Sequence, residues 1–210
     1  MDIATIAIIA INVLVSLKGF NDRGFFDKYK FNIAGIQRGE QVRFVTSAFL
    51  HADLQHLAFN MITLFFFAGI VVTVLGTPSF LLIYTVSLLT GNFLSYFLHK
   101  HEYHYSAIGA SGAVSGIIYS AILLFPEMRI YGFIPGYIFG LGYMIYTIYG
   151  MKNKTDNIGH DAHFGGAAGG LVATIIYAPA LIYEETLTVV LLLVPIVALF
   201  VLIRTGKLNN

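Results

Sequence analysis

The chain contains seven stretches that carry no charged residue, each close to the length of a membrane crossing. A helix needs about 20 mainly apolar residues to cross a hydrocarbon core of about 30 Å. The stretches are residues 3–17, 57–75, 80–98, 107–125, 130–149, 162–182 and 187–203. The sequence therefore predicts an all-α polytopic membrane protein with seven spans.

The charge content fits a membrane protein better than a water-soluble one. Charged residues make up only 11% of the chain, against about 25% in an ordinary globular domain. The formal net charge of +1 creates no field that would gather nucleic acid, so that class of partner is excluded. Because the chain has no cysteine, a nucleophile would have to be an oxygen or a nitrogen atom.

The connections between the spans are very uneven in length. The longest, residues 18–56, is called loop one here, and it mixes charged with aromatic residues, a composition suited to the headgroup zone of a membrane. If the spans alternate in direction, loop one shares a face with the His-rich residues 99–106, the polar residues 152–161 and the C-terminal tail. The candidates for chemistry therefore lie on one face.

A first group of polar residues lies at the start of the second span. His56 and Asn60 are four residues apart, which places them on one face of a helix, and His51 precedes them in loop one. Polar residues inside a bilayer are costly and point to function. The alternative is that they hold helices together by hydrogen bonds.

A second group is the segment 109–116 at the start of the fourth span. Gly112 and Gly116 form a G-x-x-x-G face, which alone would indicate close helix packing. Ser111 adds a hydroxyl among small residues near a helix N-terminus, where backbone N–H groups and the positive end of the helix dipole can hold an oxyanion. Packing and catalysis both remain open for this segment alone.

A third group, residues 160–170, opens the sixth span with His163 and two further G-x-x-x-G pairs. The fourth and sixth spans run in the same direction, so Ser111 and His163 are expected at similar depth near one membrane face. Small residues on both helices would let the backbones approach closely enough for a Ser to His hydrogen bond. That geometry is typical of a nucleophile with its general base.

These motifs occur in an order that resembles the rhomboid family of intramembrane serine proteases. They are G-A-S-G at 109–112, H-x-x-x-N at 56–60 and A-H-x-x-G-x-x-x-G at 162–170. The resemblance implies a six-helix catalytic core over residues 1–183, with loop one at 18–56. An additional C-terminal transmembrane helix and short tail would occupy residues 184–210.

The resemblance also implies roles for individual residues. Ser111 would be the nucleophile and His163 the general base, in a dyad without a carboxylate. His56 and Asn60, together with the Ser111 backbone N–H, would stabilise the oxyanion. The remaining family positions are glycines for substrate approach and helix packing: Gly109, Gly112, Gly166 and Gly170.

The sequence departs from the family pattern at three places. Val42 stands before the loop-one Arg43 where the family usually has Trp, and the chain has no Trp at all. Ser115 stands where some relatives place an aromatic ring beneath the catalytic histidine. Asp161 invites a triad, but two residues along a helix it should point away from His163.

The function expected from the resemblance is a serine endopeptidase that cuts peptide bonds in or near transmembrane segments of other membrane proteins. Neither a cofactor nor a metal is called for. One alternative is a catalytically inactive relative that binds transmembrane clients without cutting them. Another is a metal or ion transporter, suggested by the pair His160 and His163, by the His-rich residues 99–104 and by His51 and His56.

The expected location is the plasma membrane, with the active site facing the extracytoplasmic side as the family implies. The charge distribution conflicts with this orientation. Of the 12 Lys and Arg residues, 11 lie on the Ser111 face or in the tail, and only Arg129 lies opposite. The positive-inside rule would place the Ser111 face in the cytoplasm. We follow the resemblance.

Overall fold

The computed structural model describes residues 2–153 and 158–208, and it is built almost entirely of α-helices. Residues 154–157 of the polar 152–161 segment lie outside this described part. Seven long helices follow one another in the order of the predicted spans. They are α1 (Ile3–Asn21), α5 (Leu54–Leu75), α6 (Thr77–His99), α7 (Ser111–Leu124), α8 (Gly136–Asn153), α9 (His160–Tyr177) and α11 (Thr186–Arg204).

Shorter elements fill the connections. The short helices are α2 (Arg23–Tyr29), α3 (Ile33–Gln37), α4 (Arg43–Thr46) and α10 (Leu181–Glu184), with a 3-10 turn at Ser47–Phe49. Two antiparallel strand pairs complete the described elements. They are β1 (Phe31–Asn32) with β2 (Ser106–Ala107), and β3 (Arg129–Ile130) with β4 (Ile134–Pro135).

The all-α membrane fold is confirmed. Among the described residues, four helices are long and apolar enough to cross a membrane by length and composition: α1, α5, α6 and α11. Helix α7 is apolar but has only 14 residues, and α8 and α9 have 18 residues each. The count of seven spans therefore stays a prediction.

The structure corrects the predicted bounds of loop one and of two spans. Helix α1 continues to Asn21, and α5 starts at Leu54 because the Asp53 carboxylate caps it by accepting the His56 backbone N–H (2.7 Å). The connection therefore runs over 22–53 rather than 18–56. The fourth and fifth spans begin at Ser111 and Gly136, later than predicted, because strand pairs precede both helices.

Helix α7 lies at the centre of the bundle. It packs against α5, α6 and α9, and nearly all of its residues after Ser111 are buried. Helix α8 packs mainly against α9 and α11 and makes a smaller contact with α7. The small residues predicted to pack helices therefore line the innermost helix and the faces that touch it.

Loop one is organised around a buried arginine. Arg43 is only 7% exposed, and its Nη1 donates to the backbone oxygens of Asp27 (2.9 Å) and Lys30 (2.8 Å). Its Nε donates to Glu40 Oε2 (2.6 Å). One guanidinium thus links α2, the residue before β1 and the turn before α4, which holds these three parts of loop one together.

We expect this link to fail in acid. The hydrogen bond from Arg43 lowers the pKa of Glu40 below its usual 4.5, and the Arg43 and Arg38 charges lower it further against desolvation. A carboxyl group with a depressed folded pKa contributes stability above its unfolded pKa and loses it as the pH falls through the folded value. Glu40→Gln should therefore lower the thermal midpoint above pH 4.5 and leave it unchanged well below.

The control for this measurement is Glu127→Gln, since Glu127 is an exposed carboxylate outside loop one. It should change the thermal midpoint equally little on both sides of that pH. A Glu40→Gln protein whose midpoint follows wild type at every pH would show that the Arg43 link adds no pH-dependent stability.

Candidate active site

Ser111, the candidate nucleophile, is the first residue of α7. The segment before it is held by β2 and by a hydrogen bond from the Gly109 N–H to the Ser47 backbone oxygen (3.0 Å). The chain then turns at Gly109, whose φ of +116° favours glycine. Because the first N–H groups of a helix have no intrahelical partner, Ser111 lies where a negative oxygen could be bound.

The space in front of Ser111 is shared with His56. A Cβ at Gly109 would lie 2.8 Å from His56 Cε1, 2.9 Å from His56 Nε2 and 3.7 Å from Ser111 Oγ. A side chain at position 109 would therefore collide with the imidazole. Gly109 lets the hydroxyl and the ring face one small volume.

Helices α7 and α9 touch through their backbones. A Cβ at Gly112 would lie 3.1 Å from the Ala162 backbone oxygen, and one at Gly166 would overlap the Gly112 backbone itself. One turn further on, a Cβ at Gly170 would overlap the Gly116 backbone in the same way. Ser111 and His163 adjoin the residues of this contact, so the glycine pattern places the candidate nucleophile and base next to each other.

A cavity of about 540 Å³ is lined by six of the eight predicted site residues. Its lining includes Ser111, His163, His56, Asn60 and Gly109, together with Gly112. Gly166 and Gly170 do not line it and lie instead in the helix contact described above. The structure thus brings the candidate catalytic and oxyanion residues together, and it uses the later glycines for packing.

Two side chains that line this cavity, those of Asn60 and His56, offer hydrogen-bond donors. Asn60 is 3% exposed, and its Nδ2 has no hydrogen-bond partner among the described residues. His56 Nδ1 accepts the Ala52 N–H at 3.5 Å, so the neutral ring carries its hydrogen on Nε2, which lies against Gly109. A buried unpaired donor costs free energy, and here it lies where a reacting oxygen would need it.

His163 is contacted at Nδ1 by a tyrosine that was not predicted from the sequence. The Tyr143 hydroxyl lies 2.9 Å from His163 Nδ1, and the two rings stack with centroids 6.2 Å apart and planes 21° apart. With Nδ1 engaged by Tyr143, Nε2 is the ring nitrogen that can serve Ser111. In the sequence, Ser115 stands where some relatives have an aromatic residue, which indicates that a ring is missing at this position. The sequence does not show which helix supplies a ring instead.

A comparison with protein families decides the broader assignment. The family model described as "Rhomboid domain" matches residues 38–180, which is more than half of the chain. The chain belongs to the rhomboid family. The resemblance inferred from the motifs is therefore confirmed, and the matched range holds every predicted site residue.

Several curated proteins resemble this rhomboid chain. It is 29% identical over 182 residues to "RHOMBOID-like protein 12, mitochondrial" of Arabidopsis thaliana, covering 77% of this chain and 54% of that protein. It is 38% identical over 93 residues to "Putative rhomboid protease YdcA" of Bacillus subtilis, covering 43% and 46%. It is 32% identical over 132 residues to "Presenilin-associated rhomboid-like protein, mitochondrial" of Homo sapiens, covering 60% and 35%.

The chain spans about half the length of these rhomboid relatives or less. Two of the three are named as mitochondrial. Those names give no support to the predicted plasma membrane, which stays a prediction. What is established for this rhomboid is the family and a helical membrane fold.

His51 supports the rhomboid site from the side of α1. It is fully buried, and its Nε2 accepts the Ala110 N–H (3.4 Å), directly before Ser111. Its Nδ1 lies 2.8 Å from Ser16 Oγ, which donates to the Phe49 backbone oxygen (3.0 Å). Burial, together with the nearby His56 and against the charge of Asp53, lowers the pKa of His51 to about 3, so a neutral ring with hydrogen on Nδ1 fits all three contacts.

Asp161 faces away from the rhomboid cavity. It is 4% exposed, and its carboxylate accepts the Tyr105 hydroxyl (3.1 and 3.3 Å) and lies 3.4 Å from His99 Nε2. Burial and then the Asp161 charge raise the pKa of Tyr105, which keeps its hydroxyl as a donor. Asp161 thus anchors the start of α9, in agreement with the expectation that it points away from His163.

The histidines that suggested metal transport have other surroundings. His160 packs over Gly150 and contacts Tyr146 edge to face (5.1 Å between centroids). His101 and His104 are exposed, and His99 Nδ1 lies 2.9 Å from Glu102 Oε2. Over residues 2–153 and 158–208, no group of three or more His, Cys, Asp or Glu side chains could hold a metal.

Proposed function

We propose that this rhomboid chain is an intramembrane serine endopeptidase that hydrolyses peptide bonds in or near transmembrane segments of other membrane proteins. One observation carries the proposal. A single cavity is lined by Ser111 at a helix N-terminus, by His163, and by Asn60, whose donor has no partner in the described part of the chain. A packing motif alone would not need a buried, unpaired donor there.

In the first half of the proposed reaction, Ser111 Oγ attacks the carbonyl carbon of the substrate while His163 Nε2 takes the hydroxyl proton. The carbonyl oxygen becomes an oxyanion. His56 Nε2–H, Asn60 Nδ2–H and the Ser111 backbone N–H are the donors proposed to stabilise it. His163 then gives its proton to the leaving amine, and the acyl group remains on Ser111.

In the second half, His163 takes a proton from a water molecule, and the resulting hydroxide attacks the acyl carbon. The second oxyanion uses the same donors. Its collapse releases the new carboxyl terminus, and the proton on His163 returns to Ser111 Oγ. All the groups in this sequence are supplied by the chain and by water, so the proposal includes no cofactor.

The proposed substrates are single-span or other transmembrane proteins. A peptide carbonyl inside a helix is already hydrogen-bonded, so a substrate segment would have to unwind locally before its carbonyl could reach Ser111. Gly109 and Ser111 both line the cavity that this carbonyl would enter. We keep the plasma membrane and an extracytoplasmic active site as predictions within this proposal.

The test is cleavage of a single-span fusion protein reconstituted with the full chain into lipid vesicles. His163→Ala should reduce the cleavage rate by at least about 10³-fold, the scale seen when a catalytic base is removed. His101→Ala is the matched control, because His101 lies exposed in the loop after α6. Its rate should equal that of wild type.

Two outcomes would overturn the proposal. Equal cleavage by wild type and His163→Ala would remove the base from the mechanism. Stable binding of several single-span proteins by wild type with no cleavage of any would favour the alternative of an inactive client-binding relative.

A further inference from the structure

We infer that Tyr143 is a positioning residue for His163 and takes the place that a carboxylate holds in a catalytic triad. This inference rests on the proposed function. It adds a third member to the Ser111 and His163 pair, and that member comes from α8 rather than from the two helices that carry the pair.

The first step of the argument is the hydrogen bond. A histidine that takes a proton at Nε2 must carry hydrogen on Nδ1, and a neighbouring acceptor fixes that tautomer. The Tyr143 hydroxyl oxygen, 2.9 Å from His163 Nδ1, can be this acceptor. Once His163 is protonated, the same bond becomes charge-assisted and stronger.

The same cavity is lined by Tyr143, His163 and Ser115. Ser115 is buried on α7, one turn after Ser111. His163 Nδ1 thus has an uncharged hydroxyl group as its partner where a triad would have a carboxylate.

The second step is the shape of the aromatic stack. Phe139, Tyr143 and His163 form a continuous series, with Phe139 and Tyr143 stacked at 6.0 Å and 12°. Stacked rings restrict the rotation of the imidazole about its side-chain bonds. The ring next to His163 thus comes from α8, whereas position 115 on α7 carries a serine.

The third step is the support of α8 itself. The Tyr119 hydroxyl donates to the Gly140 backbone oxygen, one turn before Tyr143. A Cβ at Gly140 would lie 2.8 Å from Leu192 Cδ2 of α11. The backbone that carries Tyr143 is thus held from α7 on one side and from α11 on the other.

The experiment compares wild type with Tyr143→Phe, which keeps the ring and removes the hydroxyl. The control is Tyr149→Phe, since Tyr149 lies on the same helix and is 64% exposed. Three quantities are measured: the rate of labelling by a fluorophosphonate, kcat and KM for a single-span substrate, and the thermal midpoint. A fourth is the tautomer of His163 by ¹⁵N NMR of histidine-labelled protein, assigned with His163→Ala.

We expect Tyr143→Phe to reduce kcat and the labelling rate on the order of tenfold, the loss of one neutral hydrogen bond. KM and the thermal midpoint should stay at the wild-type values. The NMR spectrum should show a larger share of the Nε2–H tautomer, a signature that a purely structural role would not produce. Tyr149→Phe should match wild type in all four measurements.

The outcomes separate this inference from the function it rests on. If wild type neither labels nor cleaves, the proposed function fails, whereas an unchanged tautomer in Tyr143→Phe overturns the positioning role regardless of activity. If wild type is active and Tyr143→Phe has the same kcat, the inference is overturned alone. A fall in the thermal midpoint with kcat and tautomer unchanged would also overturn it, in favour of packing.

Discussion

Ser111→Ala is expected to abolish covalent labelling by a fluorophosphonate probe and to reduce substrate cleavage by at least about 10³-fold. The probe reacts with a hydroxyl only when a base and an oxyanion site activate it. Ser111 has both in its surroundings, since it opens α7 and lines the cavity together with His163 and Asn60. Removing one oxygen atom leaves the fold intact and takes away the atom that would form the bond.

The matched control is Ser106→Ala. Ser106 lines the same cavity, but it lies in β2 and accepts a hydrogen bond from Asn32 Nδ2 (3.2 Å). Ser106→Ala should label at the wild-type rate. Labelling that persists in Ser111→Ala would mean that another hydroxyl is the nucleophile, and loss of labelling in both variants would point to damage of the cavity instead.

Gly166→Ala is expected to have the second largest effect. The added methyl group would overlap the backbone of Gly112, which no side-chain rotation can relieve, so α7 and α9 must separate. Overpacking of this kind costs up to about 3 kcal/mol in the free energy of unfolding. A displacement of about 1 Å between reacting groups can reduce a rate by about 10²-fold, so cleavage by the folded fraction should fall on that scale.

Gly142→Ala is the control with the same chemical change. A Cβ at Gly142 meets no atom within 4 Å, and Ala is favoured over Gly inside a helix by about 1 kcal/mol. Chemical unfolding in detergent should show this protein as stable as wild type or more so, with unchanged cleavage. Equal stability and activity of Gly166→Ala and wild type would contradict the backbone contact between the two helices.

Much of the fold could be predicted because its physical cause is local in the sequence. Charge-free runs located the seven long helices, and small residues at a spacing of four located the contact of α7 with α9. The ends of the helices were less accessible. The starts at Ser111 and Gly136 depend on strand pairs, and β1 and β2 join residues more than 70 positions apart.

The sequence motifs also supplied the candidate site residues, whose roles stay a prediction. Motif spacing identified Ser111, His163, His56 and Asn60, and one cavity contains all four. Tyr143 escaped because no spacing within the chain shows which face of α8 meets α9. The role of His51 escaped for a similar reason, since it depends on Ser16 of α1 and on the Ala110 N–H.

The contact of α7 with α9 has a consequence for how the site responds to heat. Side chains exchange between rotamers as temperature rises, but Gly112 and Gly166 meet through backbone atoms that have no rotamers. The distance between the backbones of Ser111 and His163 is therefore set by two helices in direct contact. The orientation of the imidazole, in contrast, depends on a side chain from α8, so warming should disturb the angle of the base before it disturbs its distance.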